Sequence, residues 1–142
     1  MASSSPAVRD LRVWQKSMDL VEVCYKVSAL FPAREQFGLI SQIRRAASSV
    51  PANIAEGYGR WNRRDFGRFL AIACGSVREL ETHLILSQRL GFVSVATVAP
   101  LLLSIDEIAK MLYRMRQRVL ANAEAAETAF RASRTTRDRR LP

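Results

Sequence analysis

The stretch Gly38–Phe69, GLISQIRRAASSVPANIAEGYGRWNRRDFGRF, decides how this chain folds. Ile40, Ile43, Ala47, Val50 and Ile54 recur at alternating spacings of three and four, which gathers them on one stripe of an α-helix. Pro51 falls inside that pattern and has no N–H for the Ala47 carbonyl, so a bend is expected there. The stripe persists on both sides of it. One bent helix is therefore predicted, starting near Glu35–Gly38 and ending at about Glu56. Gly57 and Gly59 are read as its stop, through the left-handed conformation that helix ends use. Asn62 is a good cap for the next helix, with Asp65 placed to complement its N-terminus. Positive charge concentrates on the same stretch: Arg44 and Arg45 follow Ile43, and Arg60, Arg63, Arg64 and Arg68 crowd the turn and the helix after it.

Working outward, the preceding segment from about Asp10 to Leu30 is a helix whose seam is Leu11, Trp14, Met18, Val21 and Tyr25, widened by Leu20, Cys24 and Val27. Phe31-Pro32 ends it, because the residue before proline is pushed out of the helical region. After Asn62 the seam is Phe66, Leu70, Ala73, Val77, Leu80 and Leu84. Gly67 and Gly75 each cost about 1 kcal/mol inside a helix relative to alanine, which makes sense if another helix approaches closely there. Gly91 closes this helix. The last seam, Leu101, Ile105, Ile108, Leu112, Met115 and Val119, marks a helix to about Asn122, with Ser94 or Thr97 as its cap and Pro100 suited to its first turn. Four helices with short connections and no competing β pattern define an all-α, antiparallel up-down-up-down four-helix bundle. Residues 1–9 are expected to be disordered, 10–123 to form the bundle, and 124–142 to be a flexible basic tail carrying Arg131, Arg134, Arg137, Arg139 and Arg140.

A chain of 142 residues is long enough for one domain that buries roughly 70% of its unfolded surface. Against 13 acidic residues stand 22 basic ones, a net charge of +9, which favours polyanionic partners. Cys24 and Cys74 lie in apolar helical patterns and are read as buried free thiols. MASSSPAVRD has no apolar core of a secretory signal, and the run at Val98–Leu103 falls far short of the ~20 residues of a membrane span. The expectation is a cytoplasmic protein with no membrane partner.

Catalytic constellations are missing from the pattern. The one histidine, His83, has Glu79 four residues before it, whereas a di-iron bundle uses Glu-x-x-His. One histidine and two distant cysteines do not compose a zinc site. Gly57-Tyr58-Gly59 is followed by Asn62 where a dinucleotide fingerprint needs its third glycine. Glu56, Glu79 and Glu81 have no nucleophile beside them. The chain is read as a non-enzyme without cofactor or metal.

The arginines remain. A charge run is commonly a solvated face, but Tyr58, Trp61 and Phe66 are interleaved with this one. Guanidinium groups contact phosphates bidentately and exposed aromatics stack on unpaired bases. Trp61 fits that role or a hydrophobic cap over the bundle end. Binding of this kind is electrostatic, salt-sensitive and weakly selective for sequence.

Asp10-Leu11-x-Val13-Trp14-Gln15-Lys16-Ser17-Met18, Gly38-Leu39-x-x-Gln42-Ile43-Arg44-Arg45-Ala46-Ala47, Ser49-Val50-Pro51-Ala52-Asn53-Ile54-Ala55-Glu56-Gly57, and Phe69-Leu70-x-Ile72-Ala73-x-Gly75-Ser76-x-x-Glu79-Leu80-Glu81-Thr82 carry a resemblance. Together they resemble the bacterial four-helix-bundle family encoded by intervening sequences inside 23S ribosomal RNA genes. That family also includes the accessory variability determinant of diversity-generating retroelements. The resemblance implies an antiparallel bundle that assembles into a homopentameric ring with a positively charged surface. It also implies RNA or DNA as a partner, and for the retroelement branch a reverse transcriptase. By analogy Arg44, Arg45, Arg60, Arg63, Arg64 and Arg68 are the candidates for contacting nucleic acid or the partner. Asn53, Glu56, Ser76 and Glu79 match the family pattern and equally suit polar packing between helices. Leu20, Leu86, Leu102 and Met111, off the seams, suit either a broad core stripe or a subunit interface.

Two functions follow from this. The first is a non-enzymatic oligomeric bundle that binds RNA or DNA as an accessory factor. The alternative is a protein–protein adaptor whose charge serves an acidic partner.

Overall fold

In the computed structural model, which describes residues 6–138, four α-helices carry the chain: α1 Arg12–Ser28, α2 Leu39–Tyr58, α3 Arg63–Arg89 and α4 Val95–Asp138. Each helix packs on the next and α4 returns to α1, so the four close into one helical bundle. No strand occurs among the described residues.

The seams of α2, α3 and α4 become the core, apart from Phe66 and Met115, which are half-buried at its edge. Ile43, Ile54, Leu70, Leu80, Leu84, Ile105, Ile108 and Leu112 are all at or below 1% exposure. On α1 the expected seam is displaced by one position. Tyr25 is 45% exposed and Met18 36%, while Leu11, Trp14 and Val21 are half-buried. The buried stripe is instead Val13, Ser17, Leu20, Cys24 and Ser28. Two serines hold core positions because each hydroxyl returns to its own helix: Ser17 Oγ donates to the Val13 carbonyl at 2.6 Å and Ser28 Oγ to the Tyr25 carbonyl at 3.3 Å. Satisfied in this way, they bury at little cost. Of the off-seam residues, Leu20 is core, Leu102 and Met111 are half-buried, and Leu86 is exposed.

The helix ends are locally determined. Asn62 Oδ1 accepts from the N–H groups of Arg64 and Asp65, capping α3 as expected. Gly91, at φ 79°, follows the C-cap of α3. α2 stays continuous through the buried Pro51. Its end differs from expectation: Gly57 lies within the helix, and Gly59 has φ −76°, not the left-handed conformation. Gly57 serves space instead, since a Cβ there would stand 2.8 Å from both Phe66 and Phe69 of α3. Gly67 likewise admits Leu120 of α4, 2.7 Å from an added Cβ, whereas Gly75 faces open space, so no helix approaches it.

α4 departs most from the sequence reading. Ser94 Oγ accepts from the Thr97 N–H, so the helix begins early and Pro100 sits beyond its first turn. Both Pro100 and Ala96, whose carbonyl loses its helical donor, are exposed to solvent. At the other end α4 continues as helix to Asp138, past the expected limit near Asn122. Ala123 is the last buried residue among those described. Beyond it the alanines, glutamates and arginines are helix formers without an apolar stripe, so helix persists where core contact ends. Arg139 and Arg140 lie outside the described residues, as do residues 1–5. The rest of the segment read as disordered is partly ordered. Val8–Asp10 form a 3-10 turn, and the Pro6 carbonyl accepts from the Tyr58 hydroxyl at 2.9 Å.

Candidate nucleic-acid interface

The six candidate arginines fall into two groups. Arg44 and Arg45 sit near the start of α2, and Arg60, Arg63, Arg64 and Arg68 around the α2–α3 turn. About 20 Å of helix separates the groups, at ~1.5 Å per residue.

Arg44 is built into the α1–α2 junction. Its Nε donates to Ser28 Oγ at 3.0 Å, its Nη2 to the Tyr25 carbonyl at 3.3 Å, and its guanidinium lies 4.6 Å from the centre of the Tyr25 ring. These partners belong to the last turn of α1, where a cation complements the helix dipole. Arg44 is thus largely committed to structure. The exposed Arg45 donates to Gln42 and lies 3.9 Å from Glu79, which also meets His83 Nε2 at 3.4 Å.

At the α2–α3 turn the charge is dense and partly compensated. Arg60 pairs with Glu56 one turn back. Arg64 makes a two-pronged pair with Glu127 of α4, and Arg68 lies 4.0 Å from Asp65. The guanidinium groups of Arg60 and Arg68 stand 5.0 and 5.2 Å from the Phe69 ring centre. Tyr58 packs edge-on against Phe66. Two groups are uncommitted. Arg63 has no ion pair or side-chain hydrogen bond among the described residues, and Trp61 is fully exposed, not a cap on the core. Glu56 is therefore explained by Arg60. Ser76 is explained by α2–α3 packing, its Oγ lying 2.8 Å from Ser49 Oγ, and Asn53 by its own helix, where its Nδ2 donates to Ser49 Oγ at 2.9 Å.

This bundle, with its basic turn, has sequence relatives. The sequence pattern of the 23S rRNA-intervening sequence protein family matches residues 9–114, well over half the chain. The chain belongs to that family. In structure it is similar to a crystallised protein of unknown function from the S23 ribosomal protein family of Bacteroides thetaiotaomicron. The two are 27% identical with a TM-score of 0.68, over 73% of this chain and 97% of the other. No curated protein matches the chain. The family match stops at residue 114, so it covers all six candidate arginines but not the distal half of α4 that supplies Glu127.

Sequence reading missed a second set of cations on the same bundle. Arg12 of α1 and Lys110, Arg114 and Arg118 of α4 border the groove between these helices, and none has an ion pair among the described residues. Their signal was present: three cations at four-residue intervals opposite the α4 seam. Among the described residues no three His, Cys, Asp or Glu side chains gather as a metal site, and no helix is long and apolar enough to cross a membrane.

Proposed function

We propose that the protein is a non-enzymatic, basic helical bundle that binds RNA or DNA through electrostatic contacts. It acts in the cytoplasm as a 23S rRNA intervening-sequence type protein or as a retroelement accessory factor. In this proposal the helices run antiparallel, up-down-up-down, and the bundle assembles as a homopentameric ring. Arg44, Arg45, Arg60, Arg63, Arg64 and Arg68 contribute the positive surface, with Arg63 and the turn arginines making the phosphate contacts.

The observation that carries this proposal is the α2–α3 turn, where a fully exposed Trp61 stands between Arg60 and the uncommitted Arg63. An exposed indole beside guanidinium groups suits stacking on an unpaired base with phosphates alongside. Gel retention of a structured RNA at low and high salt tests it. Retention at low salt should weaken as salt rises, and Arg60→Ala/Arg63→Ala/Arg64→Ala should reduce it. Absence of retention at low salt would overturn it.

A second reading has its own support. Leu30, Phe37, Leu90 and Val95, in or beside the α1–α2 and α3–α4 connections, are 54–94% exposed. Exposed apolar side chains of that size suit a protein partner such as a reverse transcriptase, with the charge steering encounter. Under this adaptor reading, RNA is not retained.

A further inference from the structure

Between α1 and α4 lies a cavity of about 610 Å³, bordered by Arg12, Val13, Met111, Tyr113, Arg114 and Arg118. Its floor is apolar, formed by Val13 at 1% exposure with the half-buried Met111 and Met115. Its rim is cationic. Glu107, which lines the adjoining recess with Arg12, Lys110 and Arg114, pairs with Lys16 at 2.8 Å, and Arg12 has no ion pair among the described residues. Tyr113 is 61% exposed, and its hydroxyl accepts from Gln117 Nε2 at 2.9 Å, which orients the ring.

We propose that this groove seats a single-stranded stretch of nucleic acid, an unpaired base entering the apolar recess beside Tyr113 while Arg12, Arg114 and Arg118 hold the flanking phosphates. The inference rests on the nucleic-acid reading above and adds to it the site and the strandedness of the ligand. The recess has the size of a small-ligand cavity, in the range of about 300–1,000 Å³. Lys110, Arg114 and Arg118 succeed one another by about 6 Å along the helix axis, a step close to that of successive phosphates on an extended strand. Three of the four cations are arginines, whose planar forks take phosphate oxygens in pairs. A duplex keeps its bases stacked and out of such a recess. An acidic helix would meet the same cations, but the exposed Tyr113 face beside an apolar recess favours a base.

Fluorescence anisotropy of a labelled oligouridylate and of a duplex of matched length, with the full chain at low salt, tests the proposal. Arg12→Gln/Arg114→Gln/Arg118→Gln should weaken the single strand at least about tenfold and flatten its log–log salt slope by roughly two. Tyr113→Ala, at an exposed position that leaves the fold intact, should weaken the single strand by about tenfold and leave the duplex unchanged. Photocrosslinking of a 4-thiouridine oligomer should attach it to the peptide containing Tyr113. Groove variants that bind as the parent does, while Arg60→Ala/Arg63→Ala/Arg64→Ala abolishes binding, would overturn the groove and leave the nucleic-acid reading standing. Tighter binding of an acidic amphipathic peptide, lost in the groove variants, would overturn it in favour of a protein ligand. A parent chain that binds neither nucleic acid would remove the underlying reading itself.

Discussion

Arg64, at the start of α3, holds Glu127, far along α4, through two parallel hydrogen bonds of 2.7 and 2.8 Å. The pair is exposed, yet among the described residues it is the ion pair that ties the distal part of α4 back to the bundle. Glu127 also occupies the guanidinium edge that a phosphate would take. It is therefore both anchor and competitor.

The anchor is pH-dependent in a defined direction. The hydrogen bond from Arg64, and then its charge, hold the Glu127 carboxyl below its ordinary value. A carboxyl lowered in the folded state contributes above its unfolded value, and that contribution is lost as pH falls through the folded one. Amide hydrogen exchange between Glu124 and Arg137, corrected for intrinsic rate, should therefore accelerate on acidification through the carboxylate range. Glu127→Gln should exchange fast already at neutral pH, with core amides unchanged. Equal protection in both proteins would show that the pair anchors nothing.

Two glycines should respond to alanine with opposite signs. At Gly57 an added Cβ meets Phe66 and Phe69 at 2.8 Å, so overpacking outweighs the gain in helix propensity and the chain loses about 1–2 kcal/mol. At Gly75 nothing lies within 4 Å, and Gly75→Ala should stabilise by roughly 0.5–1 kcal/mol. Urea unfolding of the two variants reads both. Destabilisation by Gly75→Ala would mean that its face is packed against another molecule.

The register of α4 can be checked by paired truncations. Ile108 is 1% exposed and Leu103 is 71% exposed. Ile108→Ala should cost about 2–5 kcal/mol, and Leu103→Ala less than about 0.5 kcal/mol. Comparable losses would place the helix in another rotation.

Burial pushes the Cys24 thiol from 9.0 up to about 12. The thiolate, the reactive form, is thus suppressed in the native chain. Cys24 should resist a thiol reagent at pH 8 until unfolding, while the half-buried Cys74 reacts first. A group raised in the folded state contributes fully below its unfolded value. That contribution is lost as pH rises, here between about pH 9 and pH 12. Rapid labelling of Cys24 under native conditions would contradict its burial.

The fold was legible wherever apolar residues filled the seam. On α2, α3 and α4 the three-four spacing named the buried residues, because Ile, Leu and Val at helical period have one economical place to go. It failed on α1, where Ser17 and Ser28 bury by bonding to their own backbone, a solution invisible to hydropathy. It failed again beyond Ala123, where helix continues on propensity alone without core contact to mark it. Charge was legible by position but not by state. Arg64 and Arg63 are neighbours, yet Arg64 is engaged by a residue sixty-three positions away and Arg63 by none among the described residues. Arg12 and Arg118 come to one groove only through tertiary packing.

Whether the bundle binds nucleic acid electrostatically is decided by the salt dependence of RNA affinity, read by anisotropy for the parent chain and Arg60→Ala/Arg63→Ala/Arg64→Ala. Binding should be tight at low salt, log affinity should fall linearly with log salt, and the slope should be shallower in the triple variant by roughly 0.7 for each phosphate contact removed. Binding that is absent at low salt, or identical in slope for the two proteins, would contradict the nucleic-acid reading.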